Sequence, residues 1–303
     1  MSVTRKAAKA ELTTVSEFSV ASRMKYEADS SKLLESDKNY TDEVFRSFKE
    51  SGCEVLSLDV FDTILLRNGK SEFRRFFEIA EKAVMVLEEA GASEGALTAA
   101  DALVLRNFAT IASYRASPVV EGCREGCLED ICATISKAVF GDARATDRLV
   151  QVELEYEATQ LMVSSAIRSL VLSHRADGGK VICISDMYMK SKRIESLISA
   201  LDPVLFEAID RVFSSADLTV SKSSGRIFDK VSSDLGVSPG NFFHVGDALL
   251  GDYQRPRQYG WNALYLPVPR KLQETRREDH RRCAKELLTK YGVKLAIAEP
   301  QVH

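Results

Sequence analysis

The sequence predicts an α/β protein: a doubly wound parallel sheet with a long helical segment inserted after its first strand. Three observations carry this. Short apolar runs bounded by turn residues recur along the chain. Helical patterns separate the later runs. A long interval of helical periodicity, with Pro118 its one proline, parts the first run from the second.

Taken in order, residues 1–50 read as an N-terminal arm with scattered Leu12, Val15, Phe18 and Val20. Val44, Phe45 and Phe48 then form one face of a short helix stopped by Gly52. Val55-Leu56-Ser57-Leu58 is the first buried-strand candidate. Phe73, Phe76, Phe77, Ala80, Val84 and Leu87 share a helix face, as do Leu128, Ile131, Ile135 and Val139. Leu161, Met162, Val163, Ile167, Leu170 and Val171 are expected to form another apolar helix. Four more strands follow: KVICIS (180–185), IDRVFS (209–214), NFFHVG (241–246) and WNALYL (261–266). Trp261 and Tyr265 are expected in the sheet core. The mixed charges of RKLQETRREDHRR (270–282) predict a solvated helix.

Composition narrows the function. Lys and Arg number 41 against 44 Asp and Glu, a net charge of −3. That balance argues against a strongly basic nucleic-acid-binding face. No run approaches the ~18 apolar residues of a membrane span, and the N-terminus lacks the apolar core of a secretory signal. Six cysteines are too sparse for a disulfide scaffold, so a reducing cytoplasm is expected. Cys123, Cys127 and Cys132 lack the spacing of a zinc site.

In open parallel sheets the ligand site lies at the carboxyl ends of the strands. Asp59 ends the first run and Ser185 the second; Lys222 follows the third; Gly246-Asp247 ends the fourth, with Asp252 five residues on. Asp59, Asp247 and Asp252 would repel one another unless a hard cation sat among them, and Mg²⁺ takes oxygen ligands and works with substrate phosphate. Lys222 and Ser185 suit a phosphoryl group, one by charge and one as a hydroxyl donor. Asp59, ending the central strand, is placed as the nucleophile.

This constellation resembles the haloacid dehalogenase-like (HAD) hydrolase superfamily over roughly residues 50–270. Asp59, Phe61 and Thr63 stand where its first motif lies, Ser185 at the second, Lys222 at the third, and Gly246, Asp247 and Asp252 at the fourth. LDVFDT, SDMY and SKSSG look like a narrower bacterial group often linked to cell-surface polysaccharide synthesis. The resemblance implies a Rossmannoid core over 51–66 and 178–270, a cap over 67–177, and a C-terminal helix and tail over 271–303. It further implies a Mg²⁺-dependent phosphatase or phosphotransferase acting on a small phosphorylated metabolite through an aspartyl-phosphate. Mg²⁺ would be held by Asp59, the Phe61 carbonyl, Asp247 and Asp252; Thr63, Ser185, Lys222 and Arg67 would meet the substrate.

One position departs from the pattern. The superfamily's phosphatases carry an acid where this chain has Phe61, whose side chain moves no proton. Three readings follow: a substrate with a good leaving group, a proton from Asp62, Asp186 or a cap residue, or a domain that binds a phosphate ligand or partner without turnover. A carbon–halogen hydrolase, whose leaving halide needs no proton, is a further alternative. Asp62 is otherwise a turn cap, Arg67 a solvated arginine, and His244 a hydrogen-bonded core histidine.

Overall fold

The computed structural model describes residues 38–300, with side chains from residue 43. The arm expected before residue 38 therefore lies outside the described residues. Helix α1 (Lys38–Ser51) leads into strand β1 (Val55–Leu58), whose four residues are all buried. A short strand β2 (Leu65–Arg67) follows. Four helices come next: α2 (Glu72–Glu89), α3 (Ala99–Ala116), α4 (Leu128–Phe140) and α5 (Thr146–Gln160). Ser71 caps α2 and a Thr98–Asp101 capping box starts α3, which satisfies their first N–H groups.

Strand β3 (Leu161–Val163) then pairs antiparallel with β2, Leu65 opposite Val163. This corrects one expectation: Leu161–Val163 is not helical. Its apolar residues complete a ribbon with Leu65–Arg67, and Ser164 caps the helix that begins only afterwards, α6 (Ser165–Ala176). Helix α6 packs on strand β4 (Lys180–Ser185) and on α1, so it lies on the sheet and not among the inserted helices. The chain thus leaves the core through β2 and returns through β3.

The rest alternates helix and strand: α7 (Ser191–Leu201), α8 (Pro203–Glu207), β5 (Arg211–Ser214), α9 (Ser215–Leu218), α10 (Arg226–Leu235), β6 (Phe242–Gly246), α11 (Arg255–Gln258) and β7 (Asn262–Tyr265). The sheet order is β5-β4-β1-β6-β7, and every neighbouring pair is parallel. Strand β1 is central because its apolar run can be buried on both faces. The order reverses between β1 and β6, and the crevice at such a switch point is where ligands bind.

Trp261 is in the core, stacked on Phe242 with ring centroids 3.9 Å apart, and its Nε1–H donates to Ser232. Tyr265 is only partly buried and lines a cavity instead; it sits where β7 leaves the sheet. Helix α12 (Arg270–Tyr291) is solvated on one face alone. Its Cys283 and Leu287 pack into a cluster with Phe73, Phe77 and Leu103 of α2 and α3. No helix among the described residues is long and apolar enough to cross a membrane.

Replacing Trp261 by Ala removes a stacked ring and leaves a buried cavity. It should cost about 3–5 kcal/mol in chemical denaturation; a loss below about 1 kcal/mol would mean that the neighbours collapse into the space.

Candidate active site

Asp59 follows β1 directly, and its N–H donates to Val245 O on β6 at 2.8 Å. The chain then turns sharply, with Ile64 and Leu65 N–H both donating to Val60 O. Asp62 takes the left-handed conformation this turn needs, with φ +63°, one that short polar side chains tolerate better than most. Its carboxylate accepts two bonds from Arg276 of α12, at 2.7 and 2.8 Å, and one from the Arg67 N–H at 3.1 Å. Burial opposes its ionisation, but Arg276 and Arg67 hold it below its ordinary value. Asp62 is therefore a turn residue and a poor proton donor near neutral pH.

Lys222 is buried at the centre of the site. Its Nζ donates to Asp59 Oδ1 and, at 2.5 Å, to Asp252 Oδ1. Burial alone would lower its pKa; Asp252 and Asp59 raise it instead, so it stays charged. Asp252 has no exposure. Oδ1 also accepts from His244 Nε2 at 3.0 Å, and Oδ2 from the Ala248 N–H at 2.9 Å. With Nε2 donating, His244 Nδ1 is left as an acceptor for the Ser57 hydroxyl at 2.8 Å. Burial keeps His244 neutral even beside Asp252. The core histidine expected from sequence is thus also the support of Asp252, a role its position inside a strand did not signal.

Gly246 is required by this packing. A Cβ there would lie 2.4 Å from Asp252 Cγ, so any other residue would push the carboxylate off Lys222. The turn carrying Asp252, Leu249–Gln254, is a single π-type turn, a form frequent at functional sites.

Asp247 ends the β6 motif and is partly buried. Burial, then Asp59 and Asp62, push its carboxyl well above the usual range. Asp59 is pushed up to about 7 by burial, with Lys222 opposing and Asp252 reinforcing. Oxygen atoms of Asp59, Asp247 and Asp252 all lie within 4.8 Å of one another. One lysine against three close carboxylates leaves negative charge uncompensated, and an all-oxygen donor set suits a hard divalent cation. Both oxygens of Asp252 already accept protein hydrogen bonds, which makes Asp59 and Asp247 the open pair.

The remaining sequence candidates fall around this centre. Ser185, at the end of β4, is buried. Thr63 is buried too, and its Oγ1 has no hydrogen-bond partner among the described residues. Phe61 is buried, with the Arg67 guanidinium 4.2 Å above its ring. Arg67 is not solvated: its Nη2 lies 3.5 Å from Glu157, which also binds Arg75 at 2.8 Å. Asp186 is exposed at the rim. All six cysteines are buried free thiols, and among the described residues the three aspartates are the one metal-type cluster. A cavity of about 510 Å³ opens beside Asp247, walled by Leu249, Leu250, Tyr265, Gln273 and Arg276. The last two come from α12; sequence reasoning missed them because a mixed-charge helix carries no mark of what it docks against.

No protein-family model matches the chain, and no curated protein matches it. Solved structures do resemble it. A 2-haloacid dehalogenase from Pseudomonas syringae pv. tomato DC3000 is 15% identical, with a TM-score of 0.49 over 70% of this chain and 86% of that one. A HAD family enzyme from Bacteroides thetaiotaomicron, in complex with magnesium and inorganic phosphate, is 14% identical, with a TM-score of 0.46 over 72% and 96%. A haloacid dehalogenase-like hydrolase from Xanthomonas campestris is 16% identical, with a TM-score of 0.41 over 71% and 83%. Likenesses at this level leave the chemistry to this chain's own side chains.

A cation entering the site must displace the protons that the raised Asp59 and Asp247 carboxyls hold in its absence. Mg²⁺ should therefore bind more tightly as the pH rises toward about 7, the value for Asp59, with proton release on binding. Calorimetry in two buffers of different ionisation enthalpy measures both; affinity independent of pH between 5 and 7 would contradict it.

Proposed function

We propose that this protein is a Mg²⁺-dependent phosphohydrolase or phosphotransferase of the HAD type, acting on a small phosphorylated metabolite through an aspartyl-phosphate on Asp59. The observation that carries this is Lys222, buried between Asp59 and Asp252, with Asp247 completing an all-carboxylate cluster at the switch point of the sheet. Asp59 attacks phosphorus. Lys222 restrains Asp59 and faces the same phosphoryl oxygens. The buried hydroxyls of Ser185 and Thr63 are further donors, and the unpartnered Oγ1 of Thr63 would find its partner there. Asp59, Asp247 and the Phe61 carbonyl would hold Mg²⁺, with Asp252 fixing Lys222 behind them. When bound there, the cation would supply charge neutralisation for the transferring group. Arg67, above the Phe61 ring and paired with Glu157, would add positive charge beside the turn.

The apolar side chain of Phe61 favours a second reading, a domain that binds a phosphorylated ligand without turnover. The two separate on one measurement, Mg²⁺-dependent release of phosphate from a broad panel of phosphomonoesters. Turnover by the parent protein should fall by roughly 10³-fold or more in Asp59→Asn, as expected for loss of a nucleophile. Binding of inorganic phosphate without turnover would favour the second reading. Undiminished turnover in Asp59→Asn would remove the nucleophile assignment.

A further inference from the structure

Cleaving an alkyl phosphoester needs a proton for the departing oxygen, and most carboxyls near Asp59 are committed elsewhere. Asp62 and Asp252 are locked to cations and held low. Asp247 belongs to the cation-binding pair. Glu153, in the inserted helices, is buried against Arg106 and Tyr188. Two carboxyls remain at the strand ends: Asp186, exposed at the rim, and the half-buried Glu125, which the inserted segment carries.

The stretch of residues 118–127, between α3 and α4, is where the inserted segment meets the core. Leu128 N–H donates to the Tyr188 carbonyl, beyond β4, at 2.7 Å. Cys123 Sγ lies 3.9 Å from Ser221 Oγ, beside Lys222. Glu121 pairs with Arg226 and Lys230 of α10, at 3.2 and 3.8 Å. The strap is thus pinned over the β4 loop and over the Lys222 loop, with Glu125 between the pins. Its carboxyl faces Asp186 and Ser215. Ser185 and Ser214 are register partners, so Asp186 and Ser215 are the next residues on adjacent strands, and Glu125 overhangs both ends. Strand β4 is the neighbour of β1, and adjacent strands lie about 4.8 Å apart, so Glu125 overhangs the strand next to the one that carries Asp59.

Three groups face this carboxyl: Asp186, Ser215 and the Tyr114 phenol. Burial and Asp186 push Glu125 up to about 7. The Ser215 hydroxyl lies close by but closes no hydrogen bond of ordinary geometry. Tyr114 is itself raised by burial and stays neutral. A carboxyl with its pKa near the working pH is suited both to give and to take a proton.

We propose that Glu125, from the inserted helical segment, is the general acid and base of the reaction. This rests on the phosphoryl-transfer reading above. As an Asp59 carboxylate oxygen bonds to phosphorus, the bond to the leaving oxygen breaks, and its electron pair takes the Glu125 proton to give the free alcohol. Water then attacks phosphorus, loses a proton to the Glu125 carboxylate, and displaces Asp59, which releases inorganic phosphate and restores the acid.

The test compares the Mg²⁺-loaded full chain and its Glu125→Gln variant on glycerol 3-phosphate and other alkyl phosphates, and on 2,4-dinitrophenyl phosphate. The dinitrophenolate leaves without a proton. The variant should lose about 10²–10⁴-fold on the alkyl esters and less than about threefold on the aryl ester, with Glu125→Asp recovering part of the alkyl activity. Equal losses on both classes, or none on either, would overturn the role of Glu125. So would a parent protein active on the aryl ester alone. A parent that releases phosphate from neither class overturns the phosphoryl-transfer reading itself, and this role with it.

Discussion

Everything at the centre of this molecule is arranged around one buried ammonium group. Lys222 is desolvated between Asp59 and Asp252, two carboxylates from different strand ends. A buried charge is tolerated only when it is paired and hydrogen-bonded. The pairing therefore constrains the neighbourhood: Gly246 must lack a side chain, His244 must be neutral, and Ser57 must donate to it. Lys222 makes no hydrogen bond to Asp247, whose carboxyl is pushed up by burial and its acidic neighbours, and the proposed divalent cation would take the place of its proton.

Around this fixed centre the chain places two contributions of different origin. The helices inserted between β2 and β3 send the strap carrying Glu125 over β4 and β5. The C-terminal helix sends Arg276 to Asp62 and Gln273 to the cavity beside Asp247. The centre would perform the phosphoryl chemistry, and these two elements would border the space for a leaving group. Phe61 fits that division: with Arg67 above its ring, it closes off the turn and leaves proton transfer to a group outside it.

Much of this was legible along the chain. Four strand-ending polar residues, Asp59, Ser185, Lys222 and Asp247, announced themselves because each follows an apolar run or the turn after one. The five strands were visible for the same reason, since a strand buried on both faces has to be continuously apolar. The failures are equally physical. Leu161–Val163 reads as helix because short apolar runs fit either period, and only its partner Leu65–Arg67 decides for strand. Tyr265 reads as core because an aromatic at a strand end looks the same whether a neighbour or a cavity lies beside it.

By itself, then, the sequence determined the sheet, a long helical interval after its first strand and the polar residues at the strand ends. Those follow from local periodicity and from which groups can interrupt a buried run. Only the tertiary structure decided how those polar groups share their partners: that Asp252 is consumed by Lys222, His244 and Ala248, that Arg276 silences Asp62, and that Glu125 is brought over Asp186. Such partners lie tens to hundreds of residues apart. Hydrogen bonding and desolvation act through space, and no local pattern in the chain records them.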